Sequence, residues 1–223
     1  MNKQAREEEH RRIREEVLQE PPKPPMRPRT KTAILYLIGA AILISLTLWA
    51  LPPDALPVRA QQGKIPPLEE FQGSIDRGPD IQNDQMEAYV LPNTRAVKHV
   101  AATVVTQACS RTDQECYADA LFYFVRDNIK YVTDPVDEYY ETPHETLKTG
   151  AADCDGHAIL LSSLMRSVGI LTRFHHEPGH VTVEAWLPQD HLFRSEYAYE
   201  WVHYDPTCTS CKPGEHMPSA GRS

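Results

Sequence analysis

Cys154 stands where a polar turn, Thr149-Gly150-Ala151-Ala152-Asp153, runs into an apolar helix beginning Asp155-Gly156-His157-Ala158-Ile159-Leu160-Leu161. A thiol in the first turn of a helix meets unpaired N–H groups and the positive end of the helix dipole, and both favour a thiolate. The competing reading is a small buried cysteine. A nucleophile also needs a base within hydrogen-bond reach, and the base needs a third group to fix its tautomer. The chain has ten histidines, so residue type alone selects none. Position selects His180. It follows Gly179 and heads a stretch in which Val181, Val183, Ala185 and Leu187 alternate with His180, Thr182, Glu184 and Trp186. That period of two predicts a half-buried strand with His180 on its less apolar face. Asp205 ends a later strand, Trp201-Val202-His203-Tyr204-Asp205, placed to neighbour the first. The plain alternative for Asp205 is an Asp-Pro turn. Together Cys154, His180 and Asp205 line up as a thiol nucleophile, its base and the group that orients the base.

Other residues of chemical type carry less. His176-Glu177-Pro178-Gly179-His180 matches H-E-x-x-H letter for letter. That zinc signature requires both histidines on one helical face, and Pro178 with Gly179 breaks the helix. His157, His175, His203 and Glu184 read as structural side chains. Four further cysteines, Cys109, Cys116, Cys208 and Cys211, make an odd total with Cys154. Along one continuous helix, Cys109 and Cys116 would lie about 10 Å apart, too far to bridge. A helix-opening box between them makes a disulfide feasible. Cys208 and Cys211 could close on each other, or the two pairs could cross. A four-cysteine zinc site is the other arrangement.

Several elements must position these groups. Val97, Val100, Ala101, Val104 and Ala108 predict an amphipathic helix over 94–108. Thr112-x-x-Glu115 reads as a capping box opening a second helix with core face Ala118, Leu121, Phe122, Val125 and Ile129. Thr142-Pro143-His144-Glu145 reads as N-cap, Pro at N1 and Glu at N3. The Cys154 helix should bury Ala158, Leu161, Leu164, Met165 and Val168 and stop at Gly169. Residues 170–176 add a strand. Helices followed by an antiparallel sheet define an α+β fold.

The N-terminal part differs in kind. Residues 1–31 carry nine Lys/Arg and six Asp/Glu, whereas the rest carries 14 against 25. So acidic a body argues against a nucleic-acid partner. Residues 4–20 predict a short solvated helix with Glu7/Arg11 and Glu8/Arg12 at ion-pair spacing, and Pro21–Pro25 an extended spacer. Residues 32–51 hold no charge and predict one transmembrane helix. Arg27, Arg29 and Lys31 precede it, which places the N-terminus in the cytoplasm and the body outside the cell membrane. An uncleaved anchor is favoured over a signal peptide. An outside location favours disulfides. Residues 52–92, Pro-, Gln- and Asp-rich, read as a linker able to dock loosely on the domain, 93–211 as the domain, and 212–223 as a tail.

At these residues the chain resembles the transglutaminase-like superfamily, in a membrane-anchored prokaryotic or archaeal form. The resemblance rests on Thr149 to Ala158 around Cys154, on Gly179 to Leu187, and on Trp201 to Thr207. Upstream, Phe124 to Tyr131 resembles the helix and short extension preceding the family's nucleophile. It covers about 98–207 and implies a papain-like core with a Cys-His-Asp triad. It implies a cysteine protease, amidase or transglutaminase-type acyltransferase, needing no cofactor, acting on protein or peptide, with a cell-envelope polymer a natural substrate. The alternative is a catalytically inactive relative that binds peptides in the same groove. Ala152 departs from the family, which often has Gly there. The Cys154 N–H is the expected oxyanion donor, and a second donor is not identified.

Overall fold

The computed structural model describes residues 3–18, 29–50, 59–133, 139–189 and 198–215. The expected Pro21–Pro25 spacer lies outside the described residues. The chain forms two compact units, Met1–Leu56 and Pro57–Ser223. The first holds helices α1 (Lys3–Leu18) and α2 (Arg29–Ala50). The membrane span expected over 32–51 is not supported here, because among the described residues no helix is long and apolar enough to cross a membrane.

The second unit is α+β. It opens with two short 3-10 turns, Gln62–Lys64 and Met86–Tyr89, flanking the one-turn helix α3 (Glu69–Gln72). Residues 59–92 differ from the linker expected there. Leu68, Phe71, Ile75, Met86 and Tyr89 are all buried in the core. Phe71 packs edge-on against Phe124 at 5.8 Å, and the Leu68 N–H donates to Asn128 Oδ1 at 2.9 Å. The apolar anchors are single residues spaced among prolines, so they carry no period, yet each fills its own site.

Helix α4 (Arg95–Ala108) is capped by Thr94 as its amphipathic pattern implies. Helix α5 (Gln114–Asn128) begins one residue later than expected, with Asp113 rather than Thr112 accepting the Cys116 N–H at 2.9 Å. Both are good N-cap types, and the final turn geometry chooses between them. The turn lets Cys109 and Cys116 come to a Cα separation of 6.0 Å, where they form a disulfide. Cys208 and Cys211 form the other. These bonds use all four cysteines, so the four-cysteine zinc arrangement does not form, and Cys154 remains a thiol.

Strand β1 (Lys130–Tyr131) pairs in parallel with β2 (Ala151–Ala152). Between them, α6 (Pro143–Thr149) carries the expected reciprocal box of Thr142 and Glu145 and ends at Gly150 with φ 69°. Helix α7 (Cys154–Ser167) follows at once. The main sheet is antiparallel in the order β3 (Leu171–Glu177), β4 (His180–Gln189), β5 (Ala198–Tyr204). His176 to His180 forms the β3–β4 hairpin, with Glu177 opposite His180 and Gly179 at φ 70°. This disposes of the helical zinc motif. Val181, Val183, Ala185 and Leu187 all face the core. Helix α7 is the hub: it packs against α4, α5 and α6 and against β3 and β4. Ser162 Oγ meets Thr172 Oγ1, and Arg166 donates to the same hydroxyl and to the Thr172 carbonyl, fastening α7 to β3.

Candidate active site

Asp153 starts the site by starting α7. Its carboxylate accepts the N–H groups of Asp155 at 3.0 Å and Gly156 at 3.4 Å, an N-cap worth about 1 kcal/mol. Cys154 is thereby held as the first helical residue. Its sulfur is half-buried, at the Val181 N–H of β4. Val181 directly follows His180, so the Cys154 sulfur lies against the strand position next to the base candidate, at the start of β4. Burial pushes the Cys154 thiol up, the Val181 N–H pulls it down, and the charges of Asp153 and Asp155 push it up again; the net is upward.

His180 and Asp205 come together. Strand β5 pairs with β4 so that Tyr204 lies opposite Val183, which carries Asp205 back toward His180. His180 Nε2 lies 3.2 Å from Asp205 Oδ2, with side-chain exposures of 7% and 2%. That leaves Nδ1 as the ring nitrogen available to a thiol. The other oxygen, Asp205 Oδ1, accepts from the Thr207 N–H at 3.1 Å and hydroxyl at 2.7 Å. Burial alone would raise this carboxyl. Hydrogen bonds from His180 and Thr207, with the His180 charge, outweigh it and hold Asp205 well below the usual carboxylate range.

The histidines set aside as structural are placed accordingly. The His157 ring sits between the carbonyls of Asp153 (2.7 Å) and Ile129 (3.2 Å), and burial lowers its basicity. It ties the start of α7 to the chain entering β1. His175 and His203 meet edge-on across the sheet at 5.6 Å, and Glu184 pairs with Arg173 beside them.

Two features were not legible in advance. The first is Thr207, whose N–H and hydroxyl both donate to Asp205 Oδ1 two residues before it; the Asp205-Pro206-Thr207 spacing, a local side-chain turn pattern, was the available signal. The second is an acidic cluster: the carboxylates of Glu141, Asp153 and Asp155 lie within 4.8 Å of one another, the one grouping among the described residues spaced to hold a cation. Asp155 is 3% exposed, and burial, reinforced by Asp153 and Glu141, raises its carboxyl to about 9. Two aspartates flanking Cys154 were the available signal. Ala152 is buried, and a Cβ on Gly156 would come within 2.6 Å of its methyl and of a Glu141 oxygen. The close approach at this turn is therefore made by Gly156.

Residues 98–206, just under half of the chain, match the family profile described as the Transglutaminase-like superfamily. No curated protein matches the chain. Among solved structures, a provisionally assigned cysteine protease from Cytophaga hutchinsonii is similar at 15% identity and TM-score 0.38, over 67% of this chain and 48% of that one. The chain therefore spans less than half the length of that protein. Legionella pneumophila LapG is similar at 16% identity and TM-score 0.39, over 67% and 78% respectively.

Proposed function

We infer that the protein is a thiol enzyme that cleaves or transfers acyl groups at peptide, isopeptide or carboxamide bonds, with Cys154 as nucleophile, His180 as base and Asp205 as its orienting partner. The observation that carries this reading is the buried His180 Nε2–Asp205 Oδ2 bond, with a free thiol at the start of α7 held at the N–H of Val181, the residue after His180.

The chemistry follows from what each group can do. His180 Nδ1 takes the thiol proton as the Cys154 sulfur attacks the substrate carbonyl. Because the thiol is held above its usual range, proton transfer accompanies attack and a standing ion pair is not required. Asp205 fixes the imidazole tautomer and stabilises the imidazolium. His180 then protonates the leaving amine. Water or a second amine resolves the acyl-enzyme. Asp153 takes the N–H groups of Asp155 and Gly156, and the Cys154 N–H, at the first helical residue, is the donor for the oxyanion.

Membrane anchoring with the domain outside the cell is part of the same proposal and rests on composition. Residues 32–51 carry no charge, and the side chains of Leu35, Leu37 and Leu43 on α2 are exposed. A protein or peptide near the membrane, including an envelope polymer, is then the natural substrate. Alkaline carbonate extraction of membranes from cells making the full chain tests this, and release into the soluble fraction would refute it.

The second reading is an inactive peptide-binding relative. The upward push on the Cys154 thiol favours it. Iodoacetamide alkylation of Cys154 as a function of pH, with and without His180→Ala, separates the two. The enzyme reading requires faster alkylation near neutral pH with His180 present. Identical profiles would eliminate it. Ammonia release with or without incorporation of an added amine then separates transferase from hydrolase.

A further inference from the structure

We propose that Thr207 is a positioning residue for Asp205, and that the Cys208–Cys211 disulfide holds it in that role, so that dithiol reductants control the site. This deepens the proposed function, and its effect on activity rests on that reading. The effect on geometry does not.

The two oxygens of Asp205 have separate partners. Oδ2 faces His180, and Oδ1 receives both donors of Thr207. A carboxylate held on one oxygen by two donors cannot rotate, so its second oxygen stays on the imidazole. Both Thr207 donors reach one atom only if the backbone and side chain of Thr207 are fixed together. Pro206, just before Thr207, is buried, but within 208–211 only Cys211 is. On that side the hold comes from covalent and polar links. The Cys208 N–H donates to the Asp205 carbonyl at 3.2 Å, and the Cys211 N–H to the Cys208 carbonyl at 3.3 Å. The disulfide closes this loop across a Cα separation of 5.4 Å. Arg126 of α5, its guanidinium 4.6 Å from the Tyr123 ring centre, pins the far end by donating to the Cys211 carbonyl at 2.8 Å.

The two sulfurs differ in access. Cys211 is 2% exposed, whereas Cys208 is half-exposed and its neighbours Thr209 and Ser210 are exposed. A thiolate of an external dithiol therefore attacks Cys208 Sγ. The Cys208–Cys211 bond breaks, Cys211 leaves and takes up a proton, and a mixed disulfide forms at Cys208. The second thiol of the reductant attacks its own sulfur in that mixed disulfide. Cys208 is released as a thiol, and the reductant leaves as a disulfide. Two electrons pass from the dithiol to the protein. The opened loop lets Thr207 leave Asp205 Oδ1, and the carboxylate is free to turn from His180. The Cys109–Cys116 disulfide lies between α4 and α5 and holds no residue of the site, which makes it the control.

The test uses the full chain with ring-15N histidine. The proton shared between His180 Nε2 and Asp205 gives a downfield, slowly exchanging ring N–H signal, assigned by its loss in His180→Gln. Thr207→Ser should keep the signal. Thr207→Val, Thr207→Ala and Cys208→Ser/Cys211→Ser should lose it or speed its exchange, as should dithiothreitol treatment of the folded wild type, which does not depend on any variant folding. Cys109→Ser/Cys116→Ser should keep it. Amide-hydrolysis rates should fall about ten- to a hundredfold in the variants that lose the signal, the size of a lost hydrogen bond to a charged group. A wild-type signal in Thr207→Val would overturn the proposal. Loss there but retention in both the Cys208→Ser/Cys211→Ser variant and the reduced protein would overturn the redox control. A signal that follows Thr207 and the disulfide, in a protein without activity in any form, would uphold the positioning and refute the proposed function instead.

Discussion

His180 Nε2 and Asp205 Oδ2 lie 3.2 Å apart in a nearly dry setting, joined by the pairing of β4 with β5 although 25 residues separate them. Removing the charge while keeping the shape isolates what this contact does. Asp205→Asn should lower kcat by a hundredfold or more, with a smaller change in KM, because the amide cannot hold the required tautomer. Steady-state kinetics on a peptide amide, with circular dichroism to show an intact fold, checks it.

The same carboxylate sets an acid limit. Asp205 is held below its unfolded value, so its contribution to stability is present above the ordinary Asp range, near pH 4. It is lost as pH falls through and below that range. Thermal unfolding of the wild type should weaken on acidification over that window. Asp205→Asn should flatten the curve there, and an unchanged slope would count against the assignment.

Asp119 gives the opposite sign away from the site. Burial raises its carboxyl to about 6, while the Tyr204 hydroxyl, donating at 3.2 Å, opposes that rise. A raised acid contributes stability fully below its unfolded value, and the contribution is lost as pH rises through about 6. Tyr204→Phe leaves the ionised carboxylate without this donor. It should therefore cost more at pH 8, about 1.5–3 kcal/mol, than at pH 5, about 0.5–1.5 kcal/mol. Urea unfolding at the two pH values measures the difference.

Gly78 should not tolerate a side chain. Its φ is 71°, and a Cβ there would lie 2.5 Å from Cγ of the buried His144 ring. Gly78→Ala should destabilise the fold by about 2 kcal/mol or more, from backbone strain and overpacking together. A midpoint of denaturation equal to wild type would show that the ring moves aside freely.

The Cys109–Cys116 bond should act on stability alone. Opening so short a loop should cost about 2–3 kcal/mol. Cys109→Ser/Cys116→Ser should melt lower than wild type and retain the Cys154 alkylation rate at a temperature where both are folded.

Much of this protein was legible in its residues because the signals are local. Periodicity placed α4, α7 and β4. The Thr142–Glu145 box opened α6 where its spacing said, and Pro178-Gly179 refused the metal helix and made a hairpin. Cys154, His180 and Asp205 could be named because each stands at an element boundary, where polar side chains are exposed by construction. Other features depended on groups distant in sequence or on choices between near-equal local options. Asp113 displaced Thr112 as cap, and residues 59–92 entered the core through isolated anchors such as Phe71. Only the fold brought Glu141 to Asp153 and Asp155, and only the pairing of β4 with β5 brought Asp205 Oδ2 to His180. Sequence determined which groups could react and the elements that carry them, because capping and hydrophobic period act within a few residues. Tertiary structure decided which groups meet and how they are held, because distances of a few ångströms between remote segments follow from packing, which no local pattern encodes.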